Sequence, residues 1–320
     1  VAAHGRAVAQ EDTAEVILRF AGDCLLAQHY ERAAGDDPGL AFKEFDLFRT
    51  ADVGMVNLEC PVSTSGVPAQ KPFTFRMHPR FLPALKAAGV SIVNLANNHT
   101  FDYGDRAVEE TLEHLDRAGI RHVGAGLNRE SARRPVIAHV RGKRVAFLGY
   151  YGGEEAPVAG KFTPGVALRD LGWISDDIRL ARTRDSADYV IVNLHWGEED
   201  AESPSADQVR FARDLIRAGA TAIVGHHPHS LQRIERYANG VIAYSLGNFL
   251  FGGNPRDSYD TGVLEIRLTA AGPRFWVVPV TVRQWRVRVP VGRDAARVLD
   301  ILAQRTVPVP TISVTTQEQE

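Results

Sequence analysis

Ala222-Ile223-Val224-Gly225-His226-His227-Pro228-His229 is a short apolar run that stops on a glycine and then delivers three histidines. Three apolar residues before a turn signal are too few for a helix and read as a buried strand. The glycine lets the backbone turn sharply where the imidazoles begin. A lone histidine after a strand is most simply a packed or surface side chain. Three of the chain's eleven histidines, held between a glycine and a proline, point to a metal instead.

The same arrangement recurs along the chain. Asp23 ends Phe20-Ala21-Gly22-Asp23, and Glu59 ends Val56-Asn57-Leu58-Glu59. Asn97, Asn98 and His99 follow Asn94-Leu95-Ala96, and His195 follows Val192-Asn193-Leu194, ahead of Trp196-Gly197. Each piece has a plainer reading: Asp23 as a helix cap or turn former, Asn97-Asn98-His99 as a surface turn, His195 as a core histidine. Five apolar strands that each deliver a coordinating residue at the C-terminal end are a different matter, because that edge of an open α/β sheet is where ligands bind. Carboxylate, amide oxygen and imidazole together suit Zn, Mn or Fe.

Short apolar runs alternate with amphipathic stretches, the pattern of an α/β fold. Strands are predicted over residues 16–21, 53–58, 90–95, 136–148 (broken at Arg141-Gly142), 190–194, 222–224 and 241–245. Helices are predicted over 80–88, 105–118, 171–182 and 205–218. Gly89, Gly119 and Gly219 stand where a C′ glycine ends a helix. The C-terminal part reads as strands over 262–268, 275–282 and 286–289, expected to form an antiparallel sheet packed onto the first, and then a helix over 294–304. This gives one domain over 16–304, with a flexible lead-in over 1–15 and a loose tail over 305–320.

The composition is ordinary for a globular protein: 320 residues, 44% hydrophobic and 24% charged. A formal net charge of −2 offers no broad basic field for a nucleic acid. Two cysteines, Cys24 and Cys60, exclude a disulfide-dense scaffold and a four-cysteine zinc site. Each follows an acidic residue at a predicted strand end, so packing as small hydrophobes and pairing with each other both stay open. No run approaches the ~20 apolar residues of a membrane span. Ala7-Val8-Ala9 before Gln10 has the small-x-small look of a signal-peptidase site without an apolar region ahead of it, which leaves export and a cytoplasmic location both open.

The ordered series Gly22-Asp23, Asn57-Leu58-Glu59, Ala96-Asn97-Asn98-His99 with Asp102-Tyr103-Gly104, His195-Trp196-Gly197, Gly225-His226-His227-Pro228-His229 and Tyr244-Ser245-Leu246-Gly247-Asn248-Phe249 resembles the bacterial CapA family. This is the poly-γ-glutamate capsule synthesis family within the calcineurin-like metallophosphatases, and the likeness covers residues 16–251. The resemblance implies a four-layer α/β/β/α sandwich with one or two divalent ions (Mn, Fe or Zn) at the strand ends. It also implies a link to cell-envelope polymer, with an exported or envelope-associated location and envelope assembly partners. Carried over residue by residue, it makes Asp23, Glu59, Asn98, His195, His227 and His229 the metal ligands, with Glu59 between two ions. His99 becomes a general acid, and either His226 or His227 can be the ligand of that pair, His226 otherwise meeting substrate. The Asp-x-His opening usual in metallophosphatases is absent, since Leu25 follows Asp23-Cys24. One ion therefore lacks an imidazole, and one or two ions both stay open.

Water held between two divalent cations ionises near neutral pH and attacks, while the metals neutralise charge on the substrate. His99, oriented by Asp102 or a backbone carbonyl, would protonate the leaving group, a task suited to imidazole. Arg76 could clamp a phosphate or carboxylate or simply be a solvated surface arginine, and Asn254 could line the rim. The expected activity is hydrolysis of a phosphoester or a γ-glutamyl-type amide, with transfer to an amine as a variant. The alternative is a non-catalytic polymer-binding, assembly or export component that retains the metal site. A purely structural metal would predict melting on chelation.

Overall fold

A computed structural model describes residues 15–269 and 271–305. The expected lead-in and tail, with Ala7-Val8-Ala9, lie outside the described residues apart from Glu15 and Arg305. In chain order the elements are β1 (Val16–Leu25), α1 (Gln28–Ala34), β2 (Val53–Leu58), α2 (Leu82–Ala87), β3 (Val90–Asn94), α3 (Gly104–Ala118), β4 (Arg121–Val123), β5 (Ala125–Gly126), α4 (Arg129–Arg133), β6 (Val136–Val140), β7 (Lys143–Tyr151) and β8 (Gly165–Val166). There follow α5 (Leu171–Thr183), β9 (Tyr189–His195), α6 (Ala206–Arg217), β10 (Ala222–His226), β11 (Ile234–Tyr237), β12 (Gly240–Ala243), β13 (Asn248–Phe251), β14 (Tyr259–Thr269), β15 (Gly272–Arg283), β16 (Arg286–Arg288) and α7 (Gly292–Arg305).

Two sheets result. One runs β16-β15-β14-β1-β2-β3-β4, with β13 also on β1; the other runs β11-β12-β10-β9-β7-β6. Strands β1 to β4 are mutually parallel, as are β7, β9, β10 and β12. The period-2 alternation of each strand sorts its side chains between two cores. Phe20, Met55 and Ile92 of the first sheet meet Phe147, Ile191 and Val224 of the second in one shared cluster. Val56 and Val93 face outward, onto Leu85 of α2 and Leu115 of α3. Val192 and Ile223 likewise face Ile178 of α5 and Leu215 of α6. The layers are therefore α/β/β/α, as the resemblance implied.

One reading needs correction. The C-terminal strands do not form a sheet packed onto the first; β14 pairs antiparallel with Val16–Phe20 of β1 and extends that sheet through β15 and β16. The edge of β1 facing away from β2 would otherwise expose unpaired backbone groups, and β14 covers it. The break expected at Arg141-Gly142 is the turn of a hairpin, β6 and β7, with both residues at positive φ (47° and 73°), as a type I′ turn requires. No helix of the described residues is long and apolar enough to cross a membrane.

Beyond Phe20, β1 leaves β14 and continues parallel to β13, with a register shift at Asp23. Gly22 makes this switch sterically feasible. A Cβ there would lie 1.8 Å from the Gly247 carbonyl oxygen, and the same carbonyl accepts from the Asp23 amide at 2.8 Å. Gly22→Ala is expected to destabilise the protein by about 3 kcal/mol in chemical denaturation, since the clash is with backbone. Gly39→Ala, at φ −86° and with only Asp37 Oδ1 within ordinary contact at 3.7 Å, should change stability by no more than about 0.5 kcal/mol.

Candidate metal centre

The alternation that builds the inter-sheet core also builds the site. Asn57, Asn94, Asn193, His195 and His226 share the inward face with Met55, Ile92, Ile191 and Val224. At the C-terminal ends of the strands the apolar interface thus gives way to a buried polar one. Asp23, Glu59 and His195 have no measurable exposure there.

Asn57 is the hub. Its amide nitrogen donates to Asp23 Oδ1 (2.8 Å) and Glu59 Oε2 (3.1 Å), and its oxygen accepts from Asn94 (2.9 Å) and Asn97 (3.3 Å). That uses the full capacity of a primary amide. Asn97 also donates to the Leu58 carbonyl and accepts from the His99 amide, fixing the loop after β3 against β2.

Around the two carboxylates the donors gather into two groups that share Glu59: Glu59, His195 and His227, and Asp23, Glu59 and His229. In each group the ligand atoms lie within 4.8 Å of one another. Glu59 Oε1 is fully buried and has no hydrogen-bond partner. It sits 3.8 Å from His195 Nε2 and 3.9 Å from His229 Nε2. Those gaps are too long for hydrogen bonds but suit two donors sharing an ion, each bond being about 2.0–2.2 Å. The residues therefore fit divalent cations. The groups are unequal, one imidazole against two, and Leu25, where a further histidine would be sought, is buried in the outer apolar cluster.

Asn98 Oδ1 lies 2.9 Å from His195 Nε2, beside the two-histidine group. His229 Nδ1 lies 2.8 Å from Asn248 Oδ1 and 3.1 Å from Asp23 Oδ2. His227 and His229 have positive φ, 98° and 56°. For residues other than glycine this is strain of about 1–3 kcal/mol each, of the kind found at functional sites. Of the adjacent pair, the structure brings His227 into the group with Glu59; His226 is buried with both ring nitrogens unpartnered, its Nδ1 3.8 Å from Asp23 Oδ1.

The electrostatics express two buried acids crowded by imidazoles. Burial, then the charge of Asp23, pushes the Glu59 carboxyl well above its usual range. Burial would also raise Asp23, but the hydrogen bond and charge of His229, with His195 and His226, hold it low. Burial lowers His195, His227 and His226, the last to about 4. Burial would lower His229 as well, but its bond to Asp23 and the charges of Asp23 and Glu199 together raise it. A cation with hard and borderline donors around it would relieve this conflict.

His99 joins neither group. Its Nδ1 lies 2.7 Å from Asp102 Oδ2, and its ring packs on Phe75 at 4.4 Å. Asp102 also accepts from the Phe75 amide (2.6 Å) and pairs with Lys71 (2.6 Å). Arg76 is not brought to this cluster; its guanidinium stacks on Tyr103 at 4.2 Å and donates to the Ser65 carbonyl. Asn254 accepts from the Arg256 amide within its own turn. Sequence reasoning overlooked Asn57, Asn94 and Lys71 as site builders. A signal was present: Val-Asn-Leu occurs at 56–58, 93–95 and 192–194, and asparagine is depleted in strands.

A family model described as bacterial capsule synthesis protein PGA_cap matches residues 17–253. The capsule biosynthesis protein CapA of Bacillus anthracis is 31% identical over 294 residues, 87% of this chain and 70% of its own. The PGA biosynthesis protein CapA of Bacillus subtilis strain 168 is 32% identical over 295 residues, 90% of this chain and 77% of its own. Among solved structures, the NAD nucleotidase of Haemophilus influenzae superposes with a TM-score of 0.51 at 13% identity, over 92% of this chain and 64% of that one. That likeness concerns the fold.

Replacing Asn57 with leucine would leave both carboxylates without their common donor. Asn57→Leu is expected to lower the stability of the metal-free protein by about 3 kcal/mol, read from denaturant midpoints. An unchanged midpoint would show that the carboxylates do not depend on this amide.

Proposed function

The chain belongs to the bacterial capsule synthesis protein PGA_cap family, and from that premise we propose that it is a metal-dependent hydrolase of poly-γ-glutamate capsule metabolism. Its substrate is a phosphoester or a γ-glutamyl-type amide. The observation that carries this reading is the orphaned, fully buried Glu59 oxygen shared by two groups of metal donors. A purely structural site would close its donors around one ion, whereas donors on loops at the C-terminal edge of parallel strands leave room for a substrate.

In this reading Asp23, Glu59 and His229 hold one ion, and Glu59, His195 and His227, with Asn98 alongside, hold a second. Bound there, divalent Mn, Fe or Zn supplies Lewis acidity and a nucleophilic water at neutral pH. Asn57, bonded to both carboxylates, holds each in its place. His99 acts at the leaving group. Because Asp102 engages Nδ1, Nε2 is the nitrogen from which a proton passes to the departing oxygen or nitrogen. Lys71 and the Phe75 amide fix Asp102 from behind, so the imidazole cannot rotate away.

The test is turnover of a panel of phosphoesters and γ-glutamyl peptides by protein reconstituted with Mn, Fe or Zn. His99→Ala should retain its metal while kcat falls about 10²–10⁴-fold. Full metal occupancy without any turnover would favour the polymer-binding or assembly role instead.

A further inference from the structure

Behind the segment that carries Phe75 lies a pocket of about 350 Å³, walled in part by Gln28, Glu31, Thr64, Thr74, Arg76 and Tyr103. Phe75 and Met77 are buried, whereas Thr74, Arg76 and His78 alternate with them and line the pocket. One extended segment therefore lays Phe75 on His99 and Arg76 in the pocket. Tyr103, which follows Asp102 in the chain, supplies the opposite wall. Gln28, at φ 48°, reaches across to the Thr74 carbonyl (3.1 Å), so a strained residue also closes the pocket on that side.

The charges are unevenly matched. Glu31 is paired with Arg80 at 3.3 Å. Glu110, nearby, is held by Ser63, Ser65 and Arg106. Arg76 spends one N–H on the Ser65 carbonyl and one face on Tyr103; among the described residues no carboxylate pairs with it. A half-buried guanidinium with spare donors in a pocket of hydroxyls is arranged for an anion. One cation matches one negative charge, which suits a carboxylate; phosphate sites gather several cations or a helix N-terminus.

We infer that this pocket is a subsite for one carboxylate of an extended acidic peptide, clamped by Arg76, with Thr64, Thr74 and Tyr103 bonding to the adjoining amide. The inference deepens the proposed function, since it rests on the chain handling a glutamyl polymer. The polymer would then be gripped on the far side of the Phe75 segment, away from the metal groups.

Anisotropy of a fluorescent, short γ-linked glutamate peptide tests it at low salt, in EDTA and again with Mn. Arg76→Ala should weaken binding about tenfold or more, Arg76→Lys less, and Thr74→Val a few-fold, with unchanged melting temperatures. The His227→Ala/His229→Ala double variant should bind as wild type does in EDTA. Equal affinity in Arg76→Ala, or no binding to the wild type, overturns the inference. Displacement of the peptide by inorganic phosphate where glutamate has no effect would assign the pocket to phosphate and overturn it as well. Binding is read without turnover. An inactive protein that grips peptide through Arg76 would sink the hydrolase reading alone, whereas an active one indifferent to Arg76 would sink the subsite alone.

Discussion

Two carboxylates without solvent access lie side by side because one amide binds both. Asp23 and Glu59 come from adjacent parallel strands, and like charges at that spacing in a buried site repel strongly. Asn57, opposite Asp23 in the strand register, gives one N–H to each, while Asn94 and Asn97 saturate its oxygen. The hydrogen bonds of Asn57 are thereby closed, whereas beside them the outer oxygen of Glu59, both ring nitrogens of His226 and Nδ1 of His227 are buried without a partner. Buried ligand-type atoms left open around one acid, beside a satisfied amide network, are organised for something that binds that acid.

The backbone is shaped to the same end. Gly22 lets β1 pass within van der Waals contact of Gly247 and change partners from β14 to β13. That exchange brings Asn248 alongside Asp23, and Asn248 then orients His229. Across the site, Gly225 approaches the Tyr244 carbonyl so closely that a Cβ would lie 1.9 Å from it, and the chain leaves β10 through two histidines at positive φ. Strain at His227 and His229 is sustained by the packed sheets on either side. The stability of the inter-sheet core and the geometry of the site are two results of the same strand register.

Much of this was legible in the sequence because strand periodicity and donor chemistry are both local. An apolar run ending in Asp23, Glu59, His195 or Gly225-His226-His227 announces both a strand and its polar terminus. The partners that orient those donors were not legible by the same route. Asn57 and Asn94 sit inside apolar runs, and only the alternation of inward and outward faces shows that they point at Asp23 and at each other. The place of the C-terminal strands was misread because pairing with β1, rather than packing on a finished sheet, depends on which edge the earlier strands leave open. Arg76 was flagged for its chemistry, but its distance from the metal groups depends on the course of the 63–78 loop, which no periodicity specifies.

The central claim is that Glu59 stands between two metal positions, and crystals soaked in Mn test it most directly through anomalous scattering. The account predicts two peaks about 3.5–4 Å apart, one beside Asp23 and His229, the other beside His195 and His227, with Glu59 touching both. A map with no peak in contact with Glu59, or with manganese held elsewhere on the chain, would contradict it.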